Sequence, residues 1–296
     1  MTMKRQWIVG TRGSALALQQ TRIAIDTLQK HYPDSAFILK IIKTKGDTVW
    51  DMPLGQVGGK GLFVTEIEEE LLERKIDFAI HSMKDLPSDL KAGLVIGAIL
   101  SREDPRDVFI SHTVTSIADV KKNGVIGTSS MRRKVQILDI NSHITVVPLR
   151  GNVDTRIKKI ERESLDGIVL AYAGVKRMGF ENAIKEILPL HVMTPPAGQG
   201  AIGIEVRNEN AVIEFLKPLN DTTTFEEVMI ERKLQTIIGG GCNVPLGIHA
   251  HIHGSAVDLY VCYASEDGKP LLRIQETLPV ERIDEVCLQI TRRINK

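Results

Sequence analysis

Cys242 follows Gly239, Gly240 and Gly241 and precedes Asn243, Val244 and Pro245. Three successive glycines resist both helix and strand, because each loses much backbone freedom on ordering. The thiol is therefore expected on a loop that other atoms approach closely. Cys262 and Cys287 sit instead among apolar neighbours in periodic segments, where cysteine behaves as a small hydrophobe. Arginines make a second group. Arg132 and Arg133 follow Ser129 and Ser130, a helix N-cap pair. Arg150 and Arg156 bracket Gly151-Asn152-Val153-Asp154-Thr155 in the same way, and Arg12 stands just before the helix that Ser14 opens. A cation in a first helical turn opposes the helix dipole by about 0.3–1 kcal/mol. Helix N-termini also offer free N–H groups, and a guanidinium adds a planar fork for carboxylate or phosphate. Such arginines point to an anionic ligand, with ion pairs at the surface as the plainer alternative. On the ligand reading, removing one relieves a dipole conflict and slightly favours the unliganded fold.

His81-Ser82-Met83-Lys84-Asp85-Leu86-Pro87 leaves a strand at a sheet edge. It sets an ammonium beside a carboxylate in one turn, which is either a site or an ion pair ahead of a proline. Residues 43–61 are glycine-rich and read as a lid or loop. Lys60 invites a phosphate-loop reading that fails, because Leu54 holds the place of the first glycine and Gly61 that of the Ser or Thr. His249, His251 and His253 alternate on one face of a strand and read as solvated. No histidine or cysteine spacing fits a metal site.

The elements that carry these residues alternate. Apolar runs at residues 7–9, 37–42, 78–80, 94–100, 108–110, 125–126, 144–147, 168–171 and 202–206 predict strands. Amphipathic stretches between them predict helices at residues 14–30 and 61–75, the second ending on Arg74 and Lys75. The pattern is α/β with largely parallel sheets. Ile8-Val9-Gly10-Thr11-Arg12-Gly13-Ser14 and Val125-Ile126-Gly127-Thr128-Ser129-Ser130-Met131-Arg132 echo one another, which predicts two domains of similar build. Residues 193–200 read as a linker or hinge. Beyond residue 220, a helix, two alternating runs and a final helix at residues 279–295 predict a small antiparallel α+β domain carrying Cys242.

With 296 residues there is room for two or three domains, and a net charge of +1 gives no global field for nucleic acid. The apolar stretches are too short for a bilayer. The first seven residues lack a signal peptide's apolar core. A cytoplasmic, reduced compartment is expected, and a monomer.

Taken in order, these segments resemble the porphobilinogen deaminase (hydroxymethylbilane synthase) family over nearly the whole chain. The marks are Arg12-Gly13-Ser14-Ala15-Leu16-Ala17-Leu18, Val57-Gly58-Gly59-Lys60-Gly61-Leu62-Phe63, His81 to Pro87 and Arg102-Glu103-Asp104-Pro105-Arg106-Asp107. Gly127 to Arg133, Leu149 to Arg156, Pro196-Ala197-Gly198-Gln199-Gly200-Ala201 and Gly240 to Pro245 complete them. The resemblance implies two periplasmic-binding-protein-like α/β domains facing a cleft, residues 1–100 with 200–218 and residues 101–199. It implies a small α+β C-terminal domain at residues 219–296.

The implied activity joins four porphobilinogen molecules head to tail, with loss of ammonia, on a dipyrromethane cofactor, and releases hydroxymethylbilane by hydrolysis. The resemblance assigns Cys242 to the thioether and Asp85 to catalysis. It assigns Ser82, Lys84, Thr128, Ser129, Ser130, Arg132, Arg133 and Gln199 to the cofactor. Arg12, Ser14, Phe63, Arg150 and Arg156 go to substrate, Lys60 to a possible lid, and no metal is implied. The product would pass to a tetrapyrrole-cyclising enzyme. Gln56 and Asn243 depart from common family residues, lysine and glutamine. Porphobilinogen carries acetate and propionate, which suits five arginines. The Asp85 carboxylate suits the azafulvenium cation left by ammonia. The rivals are a non-catalytic anion-binding protein, and a cysteine hydrolase with His81 or His249 as base.

Overall fold

The computed structural model describes residues 6–48, 64–239, 244–265 and 271–294. Cys242, Lys60 and Phe63, all singled out by sequence, lie outside the described residues. The first elements are β1 (Gln6–Thr11), α1 (Ala15–His31), β2 (Ala36–Ile41), α2 (Lys45–Thr48), α3 (Thr65–Leu72), β3 (Phe78–Ser82) and β4 (Leu94–Ile99). Then come β5 (Asp107–Ile110), β6 (Val125–Gly127), α4 (Met131–Ile140), β7 (Thr145–Val147), α5 (Val153–Arg162), β8 (Gly167–Ala171), α6 (Tyr172–Arg177) and β9 (Ile184–Ile187). Next are β10 (Ile202–Arg207), α7 (Asn210–Leu216) and α8 (Thr222–Ile238). The chain closes with β11 (Leu246–His253), β12 (Ala256–Tyr263), β13 (Leu272–Pro279) and α9 (Ile283–Ile294). Two compact units result, one from Met1–Arg102 with Ala201–Glu226, the other from Glu103–Gly200 with Glu227–Lys296.

The sheet of the first unit runs β2-β1-β3-β10-β4. β1 pairs in parallel with β2 and β3, whereas β10 is antiparallel to both β3 and β4. Trp7, Phe37, Phe78 and Phe215 pack on one face, where Trp7 and Tyr32 each stack on Phe215 at 4.2 and 4.1 Å. In the second unit the sheet β7-β6-β8-β5-β9 repeats the plan, with β5 as the antiparallel strand. Phe109, Ile126 and Val169 pack on one of its faces, and Ile110, Leu149 and Leu170 on the other. Burial on both faces explains the near-continuous apolar runs of these strands. β1 and β6 hold the same place in their sheets, as the echo between their sequences predicts.

The second unit also holds an antiparallel sheet, β11-β12-β13, closed by Val286, Cys287 and Ile290 of α9. The architecture is α/β, with two five-stranded mixed sheets and a small C-terminal antiparallel sheet backed by helix. Both large sheets are largely parallel as expected, each with a single antiparallel strand. The segment at residues 193–200 is largely buried, and the chain passes from one unit to the other at its end, between Gly200 and Ala201. Two expectations need correction. α3 stops at Leu72, so Arg74, with φ of 59°, and Lys75 lie past its end. His249 is buried against Glu231, while His251 and His253 are exposed as expected.

Candidate active site

β1 and β3 are parallel neighbours, so their carboxyl ends lie at one edge of the first sheet. In open α/β sheets that edge is where ligands bind. Arg12, half-buried, follows β1, and Ser14 caps α1 by accepting the Ala17 N–H at 3.3 Å. Ser82 ends β3, and its hydroxyl pairs with the Gln20 amide in both directions, at 2.8 and 2.9 Å. A single 3-10 turn, Met83–Asp85, follows. Lys84 and Asp85 are exposed, while Met83 and Leu86 on either side are buried. Met83 donates its N–H to the Ala201 carbonyl at 3.1 Å, and its Sδ lies 2.0 Å from where a Cβ on Gly203 would stand. Only glycine at 203 admits that anchor. His81 points the other way, buried, with Nε2 2.9 Å from the Glu205 carboxylate.

The carboxyl ends of the parallel strands β6, β7 and β8 likewise share one edge of the second sheet. Ser130 is the N-cap of α4 and accepts the Arg133 N–H at 3.4 Å. Thr128 Oγ1 accepts the Ser130 N–H at 3.2 Å. Ser129 Oγ donates to the Leu149 carbonyl at 2.9 Å and accepts the Leu149 N–H at 3.0 Å, which ties the turns before α4 and α5 together. In the second turn Gly151 has φ of 116°, a value that favours glycine. Arg156 Nε donates to its carbonyl at 2.7 Å, and Arg150 is half-buried just before it. Arg12, Ser14, Ser82, Lys84 and Asp85 thus gather on the first sheet. Thr128 to Arg133, Arg150 and Arg156 gather on the second.

Arg132 and Arg133 sit in the first turn of α4 as expected, but they are buried rather than presented to solvent. Both reach Asp107 at the start of β5, each Nη2 lying 2.7 Å from one of its two carboxylate oxygens. Arg132 Nη1 donates to the Thr194 carbonyl at 2.7 Å and Arg133 Nη1 to that of Val169 at 3.1 Å. Gln199 is also buried, and its Nε2 donates to the Pro105 carbonyl at 2.7 Å and to Asp107 at 3.0 Å. Burial pushes the Asp107 carboxyl up. The charges of Arg132 and Arg133 and their hydrogen bonds outweigh burial and hold it far below the ordinary carboxylate range. The expectation that removing one of these arginines favours the unliganded fold is overturned, since each is an internal tie as well as a cation.

Asp107 stands within the Arg102–Asp107 mark, but the sequence assigns it no role. It opens a strand after a charged stretch, and nothing local reports partners 25 and 26 positions away. Arg177, at the end of α6, was also missed; its Nη2 donates to the Gly200 carbonyl at 2.6 Å. Cys262 and Cys287 are fully buried, and burial pushes the Cys262 thiol up to about 11 and the Cys287 thiol also upward. Neither is a ready nucleophile at neutral pH, because the thiolate is the reactive form. His249 Nδ1 lies 3.0 Å from Glu231, so both histidines proposed as hydrolase bases are buried beside carboxylates. Among the described residues no group of three or more His, Cys, Asp or Glu could hold a metal, and no helix is long and apolar enough to cross a membrane.

Two α/β sheets with cations at their strand ends, together with a small α+β domain, define an α/β protein suited to a multiply anionic ligand. Comparison with known proteins narrows this class. The family described as porphobilinogen deaminase, dipyromethane cofactor binding domain, matches residues 7–214, and its C-terminal domain matches residues 225–295. The porphobilinogen deaminase of Carboxydothermus hydrogenoformans is 42% identical over 99% of this chain and 94% of its own length. That of Syntrophomonas wolfei is 47% identical over 88% and 86%. A periplasmic arginine-binding protein from Salmonella typhimurium is a looser likeness, with 15% identity, a TM-score of 0.43 and coverage of 75% and 94%. The chain belongs to the porphobilinogen deaminase family. It is accordingly a transferase of tetrapyrrole biosynthesis that condenses porphobilinogen on a dipyrromethane cofactor.

Proposed function

We propose that Asp85 is the catalytic carboxylate of this condensation. The supporting observation is the Met83–Asp85 turn, which holds Asp85 exposed at a strand end while Met83 is locked beneath it against Gly203. A carboxylate on so fixed a turn is preorganised, and preorganised charge acts where charge develops in the transition state. Asp85 accepts the pyrrole N–H of porphobilinogen and offsets the positive charge that builds on its methylene as ammonia leaves. It then assists the proton transfers of coupling. By the family resemblance, Arg12, Ser14, Phe63, Arg150 and Arg156 bind the substrate's acetate and propionate groups, and Lys60 is assigned to a lid.

The donor set fits dipyrromethane, whose side chains are carboxylates. Arg133 is buried, yet its Nε has no hydrogen-bond partner. The hydroxyls of Thr128, Ser129 and Ser130 cluster at the start of α4. Ser82, Lys84, Thr128, Ser129, Ser130, Arg132, Arg133 and Gln199 would hold the group, and Cys242 would tether it by a thioether. When bound, it supplies the pyrrole carbon to which substrate is added. The buried, thiolate-suppressed state of Cys262 and Cys287 supports Cys242 as the tether. We further read three domains, with residues 1–100 and 200–218, 101–199 and 219–296, in a cytoplasmic monomer whose product passes to a cyclising enzyme.

Intact mass of the purified chain is expected to exceed the sequence mass by one dipyrromethane, and Cys242→Ser to remove the excess. Asp85→Asn should keep the thermal midpoint, because the side chain is exposed, and lower turnover by about a hundredfold or more. An unmodified mass, or an Asp85→Asn variant within about threefold of the parent, overturns the reading.

A further inference from the structure

Two guanidinium groups and one carboxylate lie together in the second unit, all buried: Arg132, Arg133 and Asp107. Asp107 does not chelate either arginine with both oxygens. It bridges them, Oδ2 to Arg132 and Oδ1 to Arg133, at 2.7 Å each. Arg273, which also reaches Gln136, is paired with Asp139 at 2.9 Å, and burial pushes the Cys262 thiol up, so it adds no anion. The three bridged side chains themselves carry two positive charges against one negative. The cluster also keeps one unsatisfied donor, the buried Arg133 Nε. A buried net charge is costly unless paired, and both the charge and the donor match one carboxylate.

We propose that Asp107 is a positioning residue that sets the Arg132–Arg133 pair at a net charge of one, so that the pair takes a single carboxylate of its ligand. This rests on the functional reading in assigning that carboxylate to the dipyrromethane. Without Asp107 the two guanidinium groups would face each other unbridged, the pair would attract two anionic charges, and the chain would depend on an anion to stay folded. Conversely, a pair with one arginine removed is already neutral and has no call on an anion. Gln199 fixes the remaining freedom of the bridge by its bond to Asp107 Oδ1 at 3.0 Å.

The test uses the full-length chain carrying Cys242→Ser, checked by mass to be unloaded, and succinate as probe against chloride at constant ionic strength. The parent should show a modest, saturable rise in thermal midpoint with succinate. In Asp107→Asn the midpoint in chloride should fall. Its succinate response should be larger and half-complete at a concentration lower by about tenfold, the factor that 1.4 kcal/mol represents. Arg133→Gln should fold and lose the response, and it decides the matter if Asp107→Asn does not fold. Loss of a merely structural hydrogen bond lowers the midpoint without raising sensitivity to succinate. An unchanged response in Asp107→Asn, or an Arg133→Gln that keeps the parent response or fails to fold, overturns the proposal. A wild-type mass lacking dipyrromethane sinks the functional reading instead, while the succinate result still judges Asp107.

Discussion

Arg132 shows how one residue serves two ends. Its place in the first turn of α4 opposes the helix dipole, an effect of about 0.3–1 kcal/mol. Its two charged hydrogen bonds, to Asp107 and to the Thr194 carbonyl, outweigh that. Such bonds contribute about 1.5–3 kcal/mol, so Arg132→Leu should lower unfolding stability by roughly that much in urea titration. Equal or greater stability in the variant would return the dipole to first place. The variant still leaves Arg133 to pair with Asp107, which is why it should be less harmful than Asp107→Asn in chloride. The cysteines give a second expectation at this scale. A thiol whose ionisation is raised to about 11, like that of Cys262, holds almost no thiolate at pH 7. Iodoacetamide should therefore leave Cys262 and Cys287 unlabelled in native protein and label both in guanidinium. Labelling of either in the native state at pH 7 would show that the burial is not maintained.

At the level of elements, the glycine in the middle of β10 governs a turn on the neighbouring strand. Gly203→Ala would drive a methyl into Met83, the residue that anchors the Lys84–Asp85 turn from below. Overpacking of this kind costs about 1–3 kcal/mol, and here the displacement falls on Asp85. Turnover should drop by more than the loss of folded protein accounts for, while the covalent mass addition remains. A variant with parental turnover per folded molecule would show that the turn is held by other means. The strands on either side of this contact are legible in the sequence because each is a short apolar run buried on both faces. β9 and β13 are not, since both are edge strands whose apolar runs are broken by Lys185, Glu186, Arg273 and Glu276. The antiparallel placing of β5 and β10 is equally silent, because an apolar run does not record which neighbour it meets or in which direction. The candidate site divides the same way. Asp85, the capping serines and the arginine turns are local patterns and can be read directly. The bridge through Asp107 joins β5 to α4, a pairing that only the folded chain reveals.

For the molecule as a whole, the second unit carries its C-terminal sheet against the segment that receives Arg132. A Cβ on Gly247 of β11 would lie 2.5 Å from the Thr194 carbonyl oxygen, and Ile248 donates its N–H to the Pro195 carbonyl at 2.7 Å. That same Thr194 oxygen accepts from Arg132 and Gln136. Gly247→Ala should therefore lower the thermal midpoint and reduce the fraction of chains carrying the dipyrromethane mass. A parental midpoint would show that the close approach is dispensable. The order of strands along the chain has a consequence for synthesis. β10 lies between β3 and β4 in the first sheet, yet it follows every strand of the second in sequence. As the chain leaves the ribosome, β3 and β4 wait with open edges until Ile202–Arg207 emerges. At about 5–20 residues per second that wait is on the order of 5–20 seconds. Residues 107–187, by contrast, already contain all five strands of the second sheet. Of the two large sheets, the one begun first is thus completed second, and its unpaired strands are what a nascent-chain chaperone would need to shield.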